Sequence, residues 1–168
     1  AEETFTELLR IAKERQLLFK TTSEKLELPV RDYGEYKKVS GESLPIVTLF
    51  VEELIVLLGR VDEALLIDLL VIGRSAGIFV VALSQYINAK ILSRQATINF
   101  STVVFLGKYD RIASNILFGN ISKQETEMIK EYVGSPGKSI VMEDGKLHTR
   151  SMPEIKDTDL IPFIKKEI

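Results

Sequence analysis

Two adjacent carboxylates, Glu52 and Glu53, close a run of apolar and β-prone residues, Ile46-Val47-Thr48-Leu49-Phe50-Val51. An unbroken apolar run of that length reads as a strand buried on both faces, as in a parallel sheet. Acids at the carboxyl end of such a strand stand where open α/β sheets hold their ligands. One carboxylate can then hold a metal ion or its water, while the other orients a water for attack on phosphorus. A strand that simply runs into a surface loop also ends in solvated acids, so the pair alone leaves both readings open.

A second set follows. Gly73-Arg74-Ser75-Ala76-Gly77-Ile78 leads through Phe79-Val80-Val81-Ala82-Leu83 to Ser84-Gln85. A strand ending in a hydroxyl and an amide, beside the acid-tipped strand, puts hydrogen-bonding groups near a nucleotide's terminal phosphate. Taken singly, Arg74 is also what a solvated helix end favours through the macrodipole, and Gln85 what a loop uses to satisfy its backbone. Two other motifs drop out. Gly134-Ser135-Pro136-Gly137-Lys138-Ser139 contains Gly-Lys-Ser, but a phosphate loop needs glycine where Tyr132 stands. That segment also leaves a helix for a strand, the reverse of a phosphate loop. His148 is the single histidine and there is no cysteine, so it lacks partners for a metal site and reads as a hairpin side chain.

The positioning elements alternate in type. Residues 3–20 place Phe5, Leu8, Leu9, Ile11, Ala12, Leu17 and Leu18 at helical spacing, an amphipathic helix. A polar stretch with a short 32–38 segment precedes the first strand. Residues 61–75 form a second helix that stops at Ala76-Gly77, and 78–83 a second buried strand. A polar loop or short helix spans 88–96, a third strand 102–106 and a short helix 110–117. Ser122-Lys123-Gln124-Glu125 has capping-box spacing and opens a helix to about Tyr132. Strands at 139–142 and 146–149 flank Asp144-Gly145, a hairpin signal, and a helix over 157–166 closes the chain. Strands alternating with helices predict an α/β domain with a small antiparallel hairpin near its end.

At 168 residues the chain fits a single domain over 1–168, with its core at 44–142. The net charge of −2 argues against gripping nucleic acid by bulk charge, leaving local basic loops as the means. The absence of cysteine excludes disulfides and thiolate chemistry and suits a reducing cytoplasm. No stretch approaches the roughly 20 apolar residues of a membrane span, and the acidic start at Ala1-Glu2-Glu3 is unlike a signal peptide. Any membrane anchor of a parent protein would lie outside these residues.

In their order and spacing these residues resemble the FtsK/SpoIIIE family of hexameric DNA-pumping motors. The family's Leu-Pro, apolar strand, Asp-Glu-Leu is similar to Leu44-Pro45 through Glu52-Glu53-Leu54. Its Gly-Arg-Ala-Ala-Gly-Ile, apolar strand, Ala-Thr-Gln is similar to Gly73–Ile78 through Ala82-Leu83-Ser84-Gln85. Asn99 to Leu106, and Ile116-Leu117-Phe118-Gly119, follow the same order, as do the 3–20 helix and the Tyr33–Tyr36 turn.

The resemblance implies a RecA-like, P-loop NTPase-type parallel sheet flanked by helices, represented here by the half from before Walker B onward. It implies Glu52 on the Mg²⁺ side, acting through water, Glu53 as the water-activating glutamate, and Gln85 with Ser84 sensing the γ-phosphate. Arg74 would reach the nucleotide of an adjacent subunit. Lys90, Arg94 and Arg111 would supply contacts to double-stranded DNA in place of the family's basic residues, whose positions are occupied by Tyr86, Thr97 and Val103. The complete motor would be a homo-oligomeric, hexameric ring using ATP and Mg²⁺ in the cytoplasm for chromosome segregation or conjugative transfer.

No phosphate loop is present, so this chain alone is expected to be inactive and to bind neither ATP nor Mg²⁺ tightly. The family's phosphate-loop strand, expected upstream of Ala1, lies between the strands matching 78–83 and 102–106. Its absence predicts direct pairing of those two or an open edge, met by a rearranged sheet, self-association or a second polypeptide. The alternatives are a catalytically inactive interaction module and part of a protein-secretion ATPase.

Overall fold

The computed structural model describes residues 1–119, 121–132, 134 and 136–151; the helix expected over 157–166 lies outside them. The chain divides into two compact units, Ala1–Phe100 and a second beginning at Ser101.

The first unit opens with α1 (Glu2–Leu26) and α2 (Tyr33–Ser40), then β1 (Val47–Val51), α3 (Leu54–Leu58), α4 (Glu63–Gly73), β2 (Ile78–Ala82) and α5 (Arg94–Ile98). Strands β1 and β2 pair in parallel, Val47 opposite Ile78 and Val51 opposite Ala82. Helix α1 buries Phe5, Leu8, Leu9 and Ala12. These join Leu66 and Leu69 of α4, Leu54 and Ile55 of α3, and the inward residues Val51 and Ile78 in one core. Asp62 caps α4 through the Ala64 N–H, the acceptor geometry that an N-terminal turn requires. The tail of α1 carries a smaller cluster in which Phe19 meets Tyr36 and Val30.

The expectation of strands buried on both faces is corrected. Burial alternates along β1 and β2: one face carries the core, while the other presents Phe50 at 71 % exposure and Leu83 at 60 %, with Phe79 and Val81 between them. The apolar run is that of a doubly covered strand, yet among the described residues of this unit helices cover one side only. Periodicity could not reveal this, because the outward residues are as apolar as the inward ones.

The second unit contains β3 (Thr102–Leu106), α6 (Arg111–Phe118), α7 (Lys123–Tyr132), β4 (Lys138–Glu143) and β5 (Lys146–Ser151). These three strands form an antiparallel sheet in the order β3-β4-β5. The third strand expected in the parallel layer therefore belongs to the hairpin's sheet, and the parallel sheet has two strands. Direct pairing of β2 with β3 does not occur: among the described residues β2 pairs with β1 alone and β3 with β4 alone. The hairpin turn follows its sequence signal. Asp144 and Gly145 have φ of 49° and 74°, positive at both central positions as a type I′ turn demands. The Gly-Lys-Ser segment runs from α7 into β4, confirming its unsuitability as a phosphate loop.

Candidate functional site

Backbone pairing zips the carboxyl ends of β1 and β2 beyond the strands themselves. The Leu83 N–H donates to the Val51 carbonyl and the Leu54 N–H to the Leu83 carbonyl, both at 2.8 Å. That register sets Glu53 beside Ser84. The Ser84 hydroxyl donates to Glu53 Oε1 at 2.6 Å, and the Gln85 N–H donates to Oε2 at 3.2 Å. Glu53 is also the residue before α3, with extended backbone and no capping bond from its side chain. Its carboxylate is thus committed across the strand ends and away from its own helix.

Glu52 is exposed and has no side-chain partner among the described residues. The two acids therefore differ: one is held by two donors, the other is free to turn towards a ligand. Alternation forces the difference, because neighbouring residues at a strand end point to opposite sides. Glu52 lies on the outward face with Phe50, level with Leu83.

Arg74 sits elsewhere. It is the exposed residue closing α4, ahead of the amino end of β2, whereas Glu53 and Ser84 stand at the carboxyl end. At about 3.3 Å per strand residue, Gly77 and Ser84 are already roughly 20 Å apart. The chain does not bring Arg74 to its own acids.

The segment after Gln85 carries the basic candidates Lys90 and Arg94, both exposed. It is held at its far end, where Glu63 Oε1 accepts from the Ser93 N–H at 2.6 Å, while Leu92 and Ala96 enter the core. Ser93 caps α5 through the Ala96 N–H. Arg111, also exposed, begins α6 in the second unit.

One important residue escapes the motif reading. Arg15 is 8 % exposed; its Nη1 donates to the Ala76 carbonyl and its Nη2 to the Pro45 carbonyl, each at 2.8 Å. It ties together the two loops that start β1 and β2. Gly77, at φ +75°, stands so close that an added Cβ would meet the Tyr33 ring at 3.2 Å and Arg15 Nη1 at 3.4 Å. The signal was present: Phe5, Leu8, Ala12, Arg15 and Phe19 share one helical stripe, and a charge on a buried stripe needs partners.

For a nucleotide the residues present fit one side of a site. The acids and the Ser84-Gln85 pair face the carboxyl ends of parallel strands, where such ligands bind. The described residues include no group of three or more acids and histidines able to cage a metal, so a cation here needs phosphate and water as further ligands, the usual situation for Mg²⁺. No described helix is long and apolar enough to cross a membrane.

No protein-family model matches this sequence, and no curated protein does. Solved structures do match. TcpA, the conjugation coupling protein of pCW3, solved as a monomer with ATPγS, is 21% identical, with TM-score 0.75 over 99% of this chain and 48% of its own. ATPases 2 and 3 of EssC from Geobacillus thermodenitrificans are 20% identical, with TM-score 0.67 over 99% of this chain and 31% of theirs. The cytoplasmic domain of the type VII secretion ATPase EccC of Thermomonospora curvata is 17% identical, with TM-score 0.55 over 90% of this chain and 18% of its own. This chain spans about half the length of TcpA and less of the other two. The likeness shows that this chain shares the fold of part of these proteins.

Proposed function

We propose that this chain, which has the fold of an FtsK-like motor ATPase, is the acid-and-sensor half of such a motor, whose complete form hydrolyses ATP in the cytoplasm to move double-stranded DNA. The observation that carries the reading is the apposition of Glu53 with Ser84 and the Gln85 N–H at the carboxyl ends of two parallel strands.

In this reading Glu53 orients the attacking water and takes its proton, while Ser84 and Gln85 lie against the terminal phosphate. Glu52 would hold Mg²⁺ through a water, and the bound cation would offset phosphate charge. Arg74, far from its own acids, serves a neighbouring copy's nucleotide, which makes an oligomeric ring part of the proposal. Lys90, Arg94 and Arg111 contact DNA phosphates. What is lacking here is a cradle for the phosphates. The open edge of β2 and the apolar face of Phe50, Phe79, Val81 and Leu83 suit a phosphate-loop strand and its helix, which would pair with the first and cover the second.

The test has two parts. The chain by itself is expected to give no tight, Mg²⁺-dependent ATP binding in calorimetry; such a signal would sink the division into halves. In the protein joined to a phosphate-loop unit, Glu53→Gln should lower kcat by 10²-fold or more while nucleotide still binds, the scale of a lost general base. Undiminished turnover would remove Glu53 from the chemistry.

A second reading draws on EccC, a type VII secretion ATPase: the cargo is protein. Tyr86, which stands where the resembled family has a DNA-associated arginine, favours it. Duplex DNA binding that weakens steeply with salt supports the DNA pump, and no binding at low salt supports the protein cargo or a non-catalytic module.

A further inference from the structure

We propose that Ser84 is a positioning residue for Glu53 that acts through a single contested proton. Its Oγ lies 2.6 Å from Glu53 Oε1 and 2.7 Å from the Tyr86 carbonyl oxygen. A serine hydroxyl has one proton to donate, and an ionised carboxylate and a carbonyl are both pure acceptors. The two acceptors therefore compete. When the proton faces Glu53, the carboxylate is held and the turn at Tyr86 loses its closing bond. When it faces Tyr86, the turn closes and Oε1 is released, leaving Oε2 on the Gln85 N–H.

The segment has the construction that such a latch needs. Its near end is this shared proton, and its far end is fixed by Glu63 and Ser93. Between them Gln85, Tyr86 and Lys90 are exposed, open to whatever the segment touches. A contact that draws the Tyr86 carbonyl towards Ser84 frees the carboxylate, and one that pulls it away restrains the carboxylate. This regulation rests on Glu53 being the residue that orients water, but the latch itself is a property of the chain without nucleotide.

The experiment is NMR of the 168-residue chain, reading the ¹³C carbonyl resonance of Tyr86, which moves downfield as its hydrogen bond strengthens. In Glu53→Gln the side-chain amide either donates to Ser84 Oγ or presents a weaker acceptor, so the proton passes to Tyr86 and the resonance shifts downfield. In Ser84→Ala the donor is gone and it shifts upfield. Ser84→Thr keeps the hydroxyl and restores the wild-type position. The Ser93 amide, held by Glu63, stays fixed in all three and reports that the fold is intact. A role confined to packing would loosen the segment in both of the first two variants. Shifts of the same sign, no shift, or failure of threonine to rescue overturn the proposal. Because no nucleotide enters the measurement, opposite shifts together with an inactive complete protein would keep the latch and discard the ATPase reading.

Discussion

Charge placement at single residues decides most of what this chain can do. Glu52 and Glu53 are chemically alike and adjacent, yet one is free and the other is bound by two donors, because a strand end turns them to opposite sides. Arg15 shows the same rule in the interior. A guanidinium without a carboxylate is tolerated because carbonyls accept from both of its terminal nitrogens. Hydrogen bonds to charged groups contribute about 1.5–3 kcal/mol each. Arg15→Met keeps much of the apolar stem and removes both bonds, so it should cost about 3 kcal/mol, read as a lower urea midpoint at unchanged m-value. Beside it, Gly77→Ala places a Cβ against Tyr33 in a left-handed backbone and should cost about 1–2 kcal/mol in the same assay. The paired acids and Ser84-Gln85 could be picked out by motif. Arg15 could be picked out only as an anomaly on a stripe, since its acceptors are backbone groups 30 and 61 residues away.

Among the elements, those specified by local chemistry formed as expected. The Ser122–Glu125 box closes in both directions: the Ser122 N–H donates to Glu125 Oε2 at 2.7 Å and the Glu125 N–H to Ser122 Oγ at 3.1 Å. The Ser122 N–H first, and then the Ser122 hydroxyl, which also donates to Oε2 at 2.7 Å, hold the Glu125 carboxyl below its ordinary value. A depressed carboxylate pKa contributes stability above the unfolded value and loses it as pH falls through the folded one. Helix α7 should therefore loosen below about pH 4.5, by amide exchange at 123–126. Glu125→Gln should flatten that acid limb, and Ser122→Ala should weaken the helix start at neutral pH by about 1 kcal/mol. Helix α3 was not anticipated: residues 54–58, Leu-Ile-Val-Leu-Leu, are apolar throughout and so show no helical periodicity. Helix α1 likewise runs six residues past the expected Lys20, to Leu26, while Phe19, inside the expected span, packs on Tyr36 (ring centroids 5.2 Å apart) and not on the main core.

At the scale of the first unit, one face of the parallel layer is uncovered among the described residues. Phe50, Phe79, Val81 and Leu83 form a continuous apolar face of the kind that marks an interaction surface. Phe50→Asp should leave folding stability within about 0.5 kcal/mol, as expected for an exposed site. It should also lower binding of an apolar dye and any concentration-dependent light scattering. If Phe50→Asp instead unfolds the chain, the face is part of the core and not a seat for another layer.

The sequence by itself determined most of the described elements but not α3, together with the α/β class, the capping box, the type I′ hairpin and the acids and polar groups at two strand ends. Each depends on interactions within a few residues, or on a periodicity that composition displays. Only the tertiary structure decided that β1 and β2 are covered on one face, that β3 pairs with the hairpin and not with the parallel layer, that Arg15 ties the loops at their starts, and that Ser84 divides one proton between Glu53 and Tyr86. Those outcomes turn on which distant backbone and side-chain groups meet. An apolar residue has the same identity whether a helix lies over it or water does.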